Sequence, residues 1–111
     1  MLNSKAITFG ELISGDNINN GSSLFPRYGQ YIHTVAVGDP TKITGLPLGA
    51  YGYGMLFTVV TKYAFSSGQI YITHSSNGGN TKLFVRTLQD QYNSNASWRM
   101  FNPEEIVNQN N

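Results

Sequence analysis

The chain has 111 residues, a length that suits one domain with a single hydrophobic core. Only 12% of the residues are charged, and seven Lys and Arg nearly balance six Asp and Glu, which excludes a nucleic-acid binder that neutralises phosphates. The absence of cysteine excludes disulfides and cysteine-ligated zinc, and no apolar run is long enough for insertion into a membrane.

The first half of the chain is predicted to alternate between strands and turns. Residues 4–12 (SKAITFGEL) favour a first strand or arm. Residues 14–23 (SGDNINNGSS) favour a turn cluster, because their side chains satisfy local backbone groups. Residues 29–37 (GQYIHTVAV) alternate β-branched and aromatic side chains, which predicts a strand with Tyr31 and His33 on the same face.

The second half contains the strongest strand signal. Residues 53–65 (YGMLFTVVTKYAF) are apolar at nearly every position from 55 to 60, which is typical of a strand covered on both faces. Residues 66–75 (SSGQIYITHS) and 82–89 (KLFVRTLQ) predict two further strands, joined by a hairpin turn, SNGGNT. Residues 97–101 (SWRMF) predict a last short strand.

The chain is predicted to end in a helical turn at 102–111, with Asn102 as N-cap and Pro103 in the first helical position. No helical apolar period persists, so the fold class is an all-β, single-domain, antiparallel β-sandwich-like knob with a short C-terminal helical turn. Its expected parts are an N-terminal strand or arm at 1–14, a β knob domain at 15–101, and that helical turn with its polar tail. The expected core consists of Ile32, Leu56, Val59, Ile70, Ile72, Phe84, Val85 and Trp98.

Three glycines, Gly49, Gly52 and Gly54, precede the strongest strand. A dinucleotide-binding loop needs its glycines between a strand and a helix, whereas these lead into a strand. We therefore expect them to provide positive φ angles or close backbone contacts, and not to bind phosphate.

The titratable residues do not form a catalytic or metal-binding pattern. The six acidic residues are scattered in loops or near a terminus, whereas a glycosidase needs two carboxyl groups facing each other. Asp16 and Asp39 are predicted to be turn residues. No Gly-x-Ser-x-Gly motif marks a nucleophile, and His33 and His74 are interpreted as structural. We expect no enzyme activity, no catalytic residues, no cofactor and no metal.

Seven short motifs follow one another along the chain. They are DNIN at 16–19, GQY at 29–31, PLG at 47–49, GMLFTV at 54–59, GQIY at 68–71, LFVR at 83–86 and SWRMF at 97–101. Their order resembles the knob domain of phage tail fibres and of R-type pyocin tail fibres. The chain departs from that pattern at Phe101, where a second Trp is expected, and in a longer segment before Gly29.

The resemblance implies a non-catalytic receptor-binding module on a tail fibre of a virion, or of a phage-tail-like particle, acting outside the host cell. Its partner would be a bacterial surface polysaccharide or glycan, and its assembly a homotrimer. A structural trimerisation or connector domain of a viral fibre is the alternative, and a polysaccharide-degrading enzyme is a third interpretation. The low charge of the chain is compatible with sugar ligands but equally with solvation alone.

Ligand contacts are expected from loops, where a planar ring stacks on a sugar and short amides form hydrogen bonds. The candidates are, in order, Tyr51, Tyr53, Tyr92, Asn93, Asn77 and Asn80. Gln69, Arg86 and Trp98 fall on three successive predicted strands, where the guanidinium can stack on the indole and bond to the amide. We interpret these three as a buried polar cluster in preference to a sugar subsite, because strand residues usually serve packing.

Overall fold

The computed structural model describes residues 7–26, 29–61, 67–75, 81–89, 94–104 and 106–109. These residues form β1 (Ile7–Leu12), β2 (Gly29–Gly38), β3 (Gly52–Val60), β4 (Ser67–Thr73), β5 (Leu83–Gln89), β6 (Ser94–Asn95) and β7 (Arg99–Phe101). A single 3₁₀ turn at Pro40–Lys42 lies between β2 and β3. The prediction of an all-β fold is confirmed, since strands dominate the described chain.

All seven strands belong to one sheet, in the order β1-β2-β3-β4-β5-β6, with β7 also paired to β5. The strands from β2 to β5 form an antiparallel meander, as the sequence predicts. β1 instead runs parallel to β2, which corrects the expectation of a purely antiparallel arrangement. A parallel pair needs a long crossover, and the chain between Leu12 and Gly29 provides it.

The core lies on one face of the sheet, which we call the inner face. Its buried strand residues include Leu12, Val35, Leu56, Tyr71 and Phe84. Ile18, Ile43 and Ala50 pack on them from the segments that connect β1 to β2 and β2 to β3. In the part of the chain that the structure describes, the second layer is therefore irregular chain and not the second sheet of the expected sandwich.

Backbone hydrogen bonds hold the two covering segments to each other. The N–H of Ile18 donates to the carbonyl of Thr44 over 2.9 Å, and the N–H of Thr44 donates to the carbonyl of Asp16 over 2.8 Å. The carboxylate of Asp16 accepts from the N–H of Ile13 at 2.8 Å, so its predicted role in a turn is confirmed. These bonds pair backbone groups that an irregular layer would otherwise leave unsatisfied.

The opposite face of the sheet, the outer face, is open in the described chain. Leu56 and Phe84 are buried as expected, but Val59 and Ile70 on the outer face are 43% and 40% exposed. Three more residues of the predicted core lie half-buried on that face: Ile32, Ile72 and Val85. The core prediction is wrong for the outer face, because apolar residues on both faces of a strand do not reveal which face the chain covers.

The described residues after β7, 102–104 and 106–109, contain no helix, so the predicted C-terminal helical turn is wrong there. Ile106 and Val107 are 83% and 76% exposed. A helix this short is unstable in water unless an apolar face is buried. The capping signal at Asn102 is therefore not sufficient to form one.

Candidate functional site

The glycine-rich segment places two tyrosines at the end of the sheet where the chain enters β3. Gly49 has a φ of 79°, and a Cβ on Gly52 would lie 2.5 Å from the carbonyl carbon of Gly38. A Cβ on Gly54 would likewise collide with the carbonyl oxygen of Ile72 on β4. The expected structural role of these glycines is confirmed, since a side chain would prevent this close approach.

The rings of Tyr51 and Tyr53 form a tilted pair, which we call the tyrosine pair. Their centroids are 5.3 Å apart and their planes meet at 48°. Tyr53 is 39% exposed and Tyr51 is half-buried, so both rings keep accessible surface. The pair offers apolar ring surface together with phenol hydroxyls, the amphipathic character expected of ligand-binding tyrosines.

Hydrogen bonds hold the backbone that carries the tyrosine pair. The hydroxyl of Tyr71 donates to the carbonyl of Tyr51 at 2.6 Å, and the N–H of His74 donates to the carbonyl of Tyr53 at 2.9 Å. Burial raises the pKa of Tyr71 to about 12, so this hydroxyl stays protonated and remains a donor at neutral pH. Both rings are therefore carried on a well-supported part of the sheet.

A turn that the sequence did not assign to the site passes close to the backbone that carries the tyrosine pair. Gly52 lies between the two tyrosines in sequence, and a Cβ on Gly52 would lie 2.8 Å from the backbone N of Asp39. The carboxylate of Asp39 accepts from the N–H and the hydroxyl of Thr41 at 3.0 and 2.7 Å, which confirms its predicted turn role. The Thr41 hydroxyl, with smaller contributions from its N–H and from Lys42, lowers the pKa of Asp39.

The sequence marks Asp39 as a turn residue but gives no signal that the turn lies beside Tyr53. A register shift between Ala36 and Gly38 ends the pairing of β2 with β3 and brings Gly38 opposite Gly52. Irregularities of this kind bend a strand and redirect the chain that follows it. The turn at Gly38 and Asp39 and the chain entering β3 therefore meet only in the folded sheet.

Gln69, Arg86 and Trp98 meet on the inner face, and we call them the Arg86 cluster. The Nε of Arg86 donates to Oε1 of Gln69 at 2.9 Å, and its guanidinium carbon lies 4.6 Å from the centroid of the Trp98 ring. Gln69 is 2% exposed and Arg86 is 8% exposed. Both contacts that the sequence predicts for this cluster are confirmed. Its burial is confirmed for Gln69 and Arg86, whereas Trp98 is half-buried and lies just before β7 instead of on a strand.

The Arg86 cluster also joins the sheet to the covering segments. Nε2 of Gln69 donates to the carbonyl of Ile18 at 2.9 Å, and the guanidinium of Arg86 donates to the amide oxygen of Asn19 at 3.0 Å. The indole N–H of the cluster donates to the carbonyl of Gly45 at 2.6 Å. Each member therefore forms a hydrogen bond between the sheet, or the chain next to a strand, and a covering segment. Such bonds stabilise the packing of the two layers, which indicates a structural role.

Burial lowers the pKa of Arg86 to about 10, because the guanidinium has lost much of its hydration. It remains a cation at neutral pH, and its two hydrogen-bond acceptors are amide oxygens. A ligand could contact the guanidinium of Arg86 only by displacing the hydrogen bonds and the ring that surround it. Removing those partners from a buried charge is costly, so ligand binding at Arg86 is unfavourable.

A shallow groove of about 440 Å³ runs beside the indole of Trp98. Its lining consists of Pro47, Leu48, Phe84, Ser97, Trp98 and Met100. Since Ser97 carries the one side-chain hydroxyl of this lining, the groove has fewer polar partners for a ligand than the tyrosine pair has.

The other four predicted binding residues, Tyr92, Asn93, Asn77 and Asn80, lie outside the described residues. Their role in ligand binding therefore stays a prediction. The antiparallel pairing of β4 with β5 agrees with the hairpin that the sequence predicts between them.

The two histidines belong to different environments. His33 is buried on the inner face of β2, and His74 is exposed just after β4. Among the described residues, no group of three His, Cys, Asp or Glu side chains could hold a metal ion. No helix within those residues has the length and apolar character needed to cross a membrane.

No protein-family profile, curated protein or solved structure matches this chain. The resemblance to tail-fibre knob domains therefore rests on the motif order alone. The functional argument rests on the geometry of the tyrosine pair and its neighbours.

Proposed function

We propose that this chain is a non-catalytic glycan-binding module of the kind found at the distal end of phage and phage-tail-like tail fibres. The observation that carries the proposal is the tyrosine pair, two accessible rings on a hydrogen-bonded strand end. Its ligand is a bacterial surface polysaccharide, met by the virion outside the host cell. The motif order along the chain supports the same assignment.

The chemistry of the tyrosine pair suits a sugar. A sugar ring presents a face of C–H groups, which stacks on aromatic carbon, and hydroxyls at its edge, which need hydrogen-bond partners. The rings of Tyr51 and Tyr53 provide the stacking surface. The phenol hydroxyls provide hydrogen-bond partners that can both donate and accept.

A binding role does not need the paired carboxyl groups of a glycosidase, one protonated to assist the leaving group and a second across the ligand. The acidic residues of this chain are scattered along the sequence and show no such pairing pattern.

A structural connector or assembly domain of a fibre is the second candidate, and one observation favours it. The outer face of the sheet leaves apolar side chains exposed, among them Met55, Val59 and Ile70. Large exposed apolar surfaces on soluble proteins mark sites of protein association. A connector has no need of saturable sugar binding, so a glycan-binding measurement distinguishes the two candidates.

Replacement of Tyr53 tests the glycan site. Tyr53→Ala removes a stacking ring and should weaken binding of a glycan selected on an array by about tenfold or more. Tyr53→Phe keeps the ring and should retain most of the affinity. Titration calorimetry of both variants against the selected glycan measures the difference.

Leu48→Ala is the matched control, since Leu48 is 91% exposed and lies outside the tyrosine pair. It should bind like the wild type. Circular dichroism checks that each variant is folded, and Tyr51→Ala provides a second probe of the site if Tyr53→Ala is not. Normal binding by folded Tyr53→Ala, or no glycan bound by the wild type, would contradict the proposal.

A further inference from the structure

The outer face carries three rows of side chains that cross the sheet in register. The middle row reads, from β1 to β7, Phe9, Ile32, Phe57, Ile70, Val85 and Arg99. The centre of the face is apolar, and Met55, Val59 and Ile70 are 39%, 43% and 40% exposed there. A continuous apolar face of this kind is costly in water and is typical of an interface.

The middle row has a projection at one edge of the sheet and a recess at the other. Phe9 on β1 is 73% exposed. At the opposite edge, an open cavity of about 380 Å³ lies among Ile70, Val85, Ala96 and Arg99. The cavity is large enough to receive a phenyl ring, and its walls are mainly apolar.

Charges on the outer face also lie at opposite edges. Glu11 on β1 is in register with Thr34, and Arg99 on β7 is in register with Val85, so both side chains point to this face. Of the described residues on the outer face, these are the two charged ones. The β1 edge is therefore negative and the β7 edge positive.

We propose that two copies of this chain pair outer face to outer face about a two-fold axis that runs parallel to the strands. This rotation brings each β1 edge over the β7 edge of the other copy and keeps each residue at its level along the strands. Phe9 then meets the recess beside Arg99 of the partner subunit. Glu11 lies near the same guanidinium, about one residue pair further along the strand.

The alternative two-fold axis, perpendicular to the strands, is unfavourable. It would bring the two β1 edges together, with Phe9 against Phe9 of the partner subunit and Glu11 near Glu11 of the partner subunit. Facing like charges disfavour an interface, and both recesses would stay unfilled. Shape and charge therefore select the same axis independently.

The size of the outer face suits a specific contact. The seven strands occupy six positions across the sheet, because β6 and β7 both pair with β5. Six positions about 4.8 Å apart and about 20 Å long give a flat footprint of roughly 600 Å² on each copy. The pair buries about 1,200 Å² in total, which is the lower limit of stable specific interfaces. Two sheets packed in this way form a β-sandwich, so the second copy supplies the sheet that the sequence predicts and the described chain lacks.

This contact differs from the homotrimer that the family resemblance implies. A face that pairs with itself is occupied by a single partner, so assembly stops at two copies. A ring of three needs two different complementary surfaces on each copy. Measurement of the particle mass therefore distinguishes the two arrangements.

The proposed axis has a consequence that rests on the proposed function. Rotation about the strand direction leaves both tyrosine pairs at the same end of the dimer, where Tyr53, in register with Ala36, borders the paired outer faces. Two sites facing one surface bind a repeating polysaccharide with higher avidity than either alone. The dimer would then attach to a bacterial surface at two points.

Sedimentation equilibrium of the full chain tests the contact. The wild type should pass from monomer to dimer as its concentration rises to about 100 μM. Ile70→Lys places a charge in the centre of the face and should weaken the dimer by about tenfold or more. Leu48→Lys, an exposed site on the covering layer, should leave the dimer unchanged.

A wild type that stays monomeric or forms trimers would overturn the proposal, and so would a dimer that Ile70→Lys leaves intact. Circular dichroism confirms that both variants are folded. Binding of a monovalent glycan by Ile70→Lys reports on the tyrosine pair alone. The dimer and the glycan site can therefore fail separately.

Exchange of the edge charges tests the axis. Glu11→Arg and Arg99→Glu should each raise the dimer dissociation constant by about threefold to tenfold, because like charges then face each other. The double variant restores opposite charges and should recover most of the wild-type affinity. Single variants without effect, or a double variant without recovery, would overturn the proposed arrangement.

Discussion

Arg86 carries its positive charge into the inner face of the sheet, where amide oxygens and an indole ring surround it. Gln69 comes from β4, Asn19 from the first covering segment and Trp98 from the chain before β7. These groups meet only when the sheet and its cover have assembled. The cluster therefore makes the covering layer and the sheet depend on each other for stability.

Replacement of Gln69 tests this dependence. Gln69→Ala removes the amide oxygen that accepts from the Nε of Arg86 and the amide N–H that donates to the carbonyl of Ile18. We expect the free energy of unfolding in urea to fall by about 2–3 kcal/mol. Thr87→Ala, at an exposed site of β5, is the control and should cost less than about 1 kcal/mol. Equal losses would mean that the cluster is not structural.

At the scale of the elements, β3 is central to the sheet, since it lies between β2 and β4, and it carries Tyr53 directly after Tyr51 and Gly52. Its entry is tightly packed because Gly52 and Gly54 have backbone atoms of neighbouring strands where a Cβ would be. Gly49 differs, since its φ is positive but the space around it is open. The two kinds of glycine should respond differently to substitution.

Gly54→Ala should lower the free energy of unfolding by about 3 kcal/mol, because the added Cβ collides with the Ile72 carbonyl and forces β3 away from β4. Gly49→Ala should cost about 1–2 kcal/mol, the penalty for an alanine at positive φ. Urea unfolding of both variants measures the difference. A smaller loss for Gly54→Ala than for Gly49→Ala would contradict the packing at this strand entry.

At the scale of the whole molecule, His33 links folding to pH. Burial lowers the pKa of His33 from its ordinary 6.5, and the charge of Asp16 opposes that shift only in part. The unfolded chain therefore binds the proton more readily than the folded chain. The stability associated with neutral His33 is complete above about pH 6.5 and is lost as the pH falls below that value.

Thermal unfolding between about pH 8 and pH 5 measures this linkage. The wild type should lose stability on acidification, and His33→Gln should show a weaker dependence on pH over the same range. Asp39 loses its own stabilising contribution as the pH falls from its ordinary pKa of 3.8 towards its lowered pKa, which is outside this range. The same slope in the variant and the wild type would show that another group is responsible.

The sequence by itself determined the strands from β2 to β5 and the local turns. Alternation along 29–37 and the run into β3 are properties of neighbouring residues, so they are visible without the fold. The turn roles of Asp16 and Asp39 depend on side chains that bond within three residues. The Arg86 cluster was predictable for a related reason, because consecutive strands of a meander lie side by side.

Only the tertiary structure decided the direction of β1, the open outer face and the position of the turn at Gly38 and Asp39 beside Gly52. Each depends on where a segment distant in sequence comes to lie, and side-chain periodicity carries no such information. The apolar residues on both faces of β3 predicted cover on two sides, yet the connecting segments of the described chain cover the inner face. Which face stays open is settled by the path of those segments, since hydrophobic burial is favourable on either side.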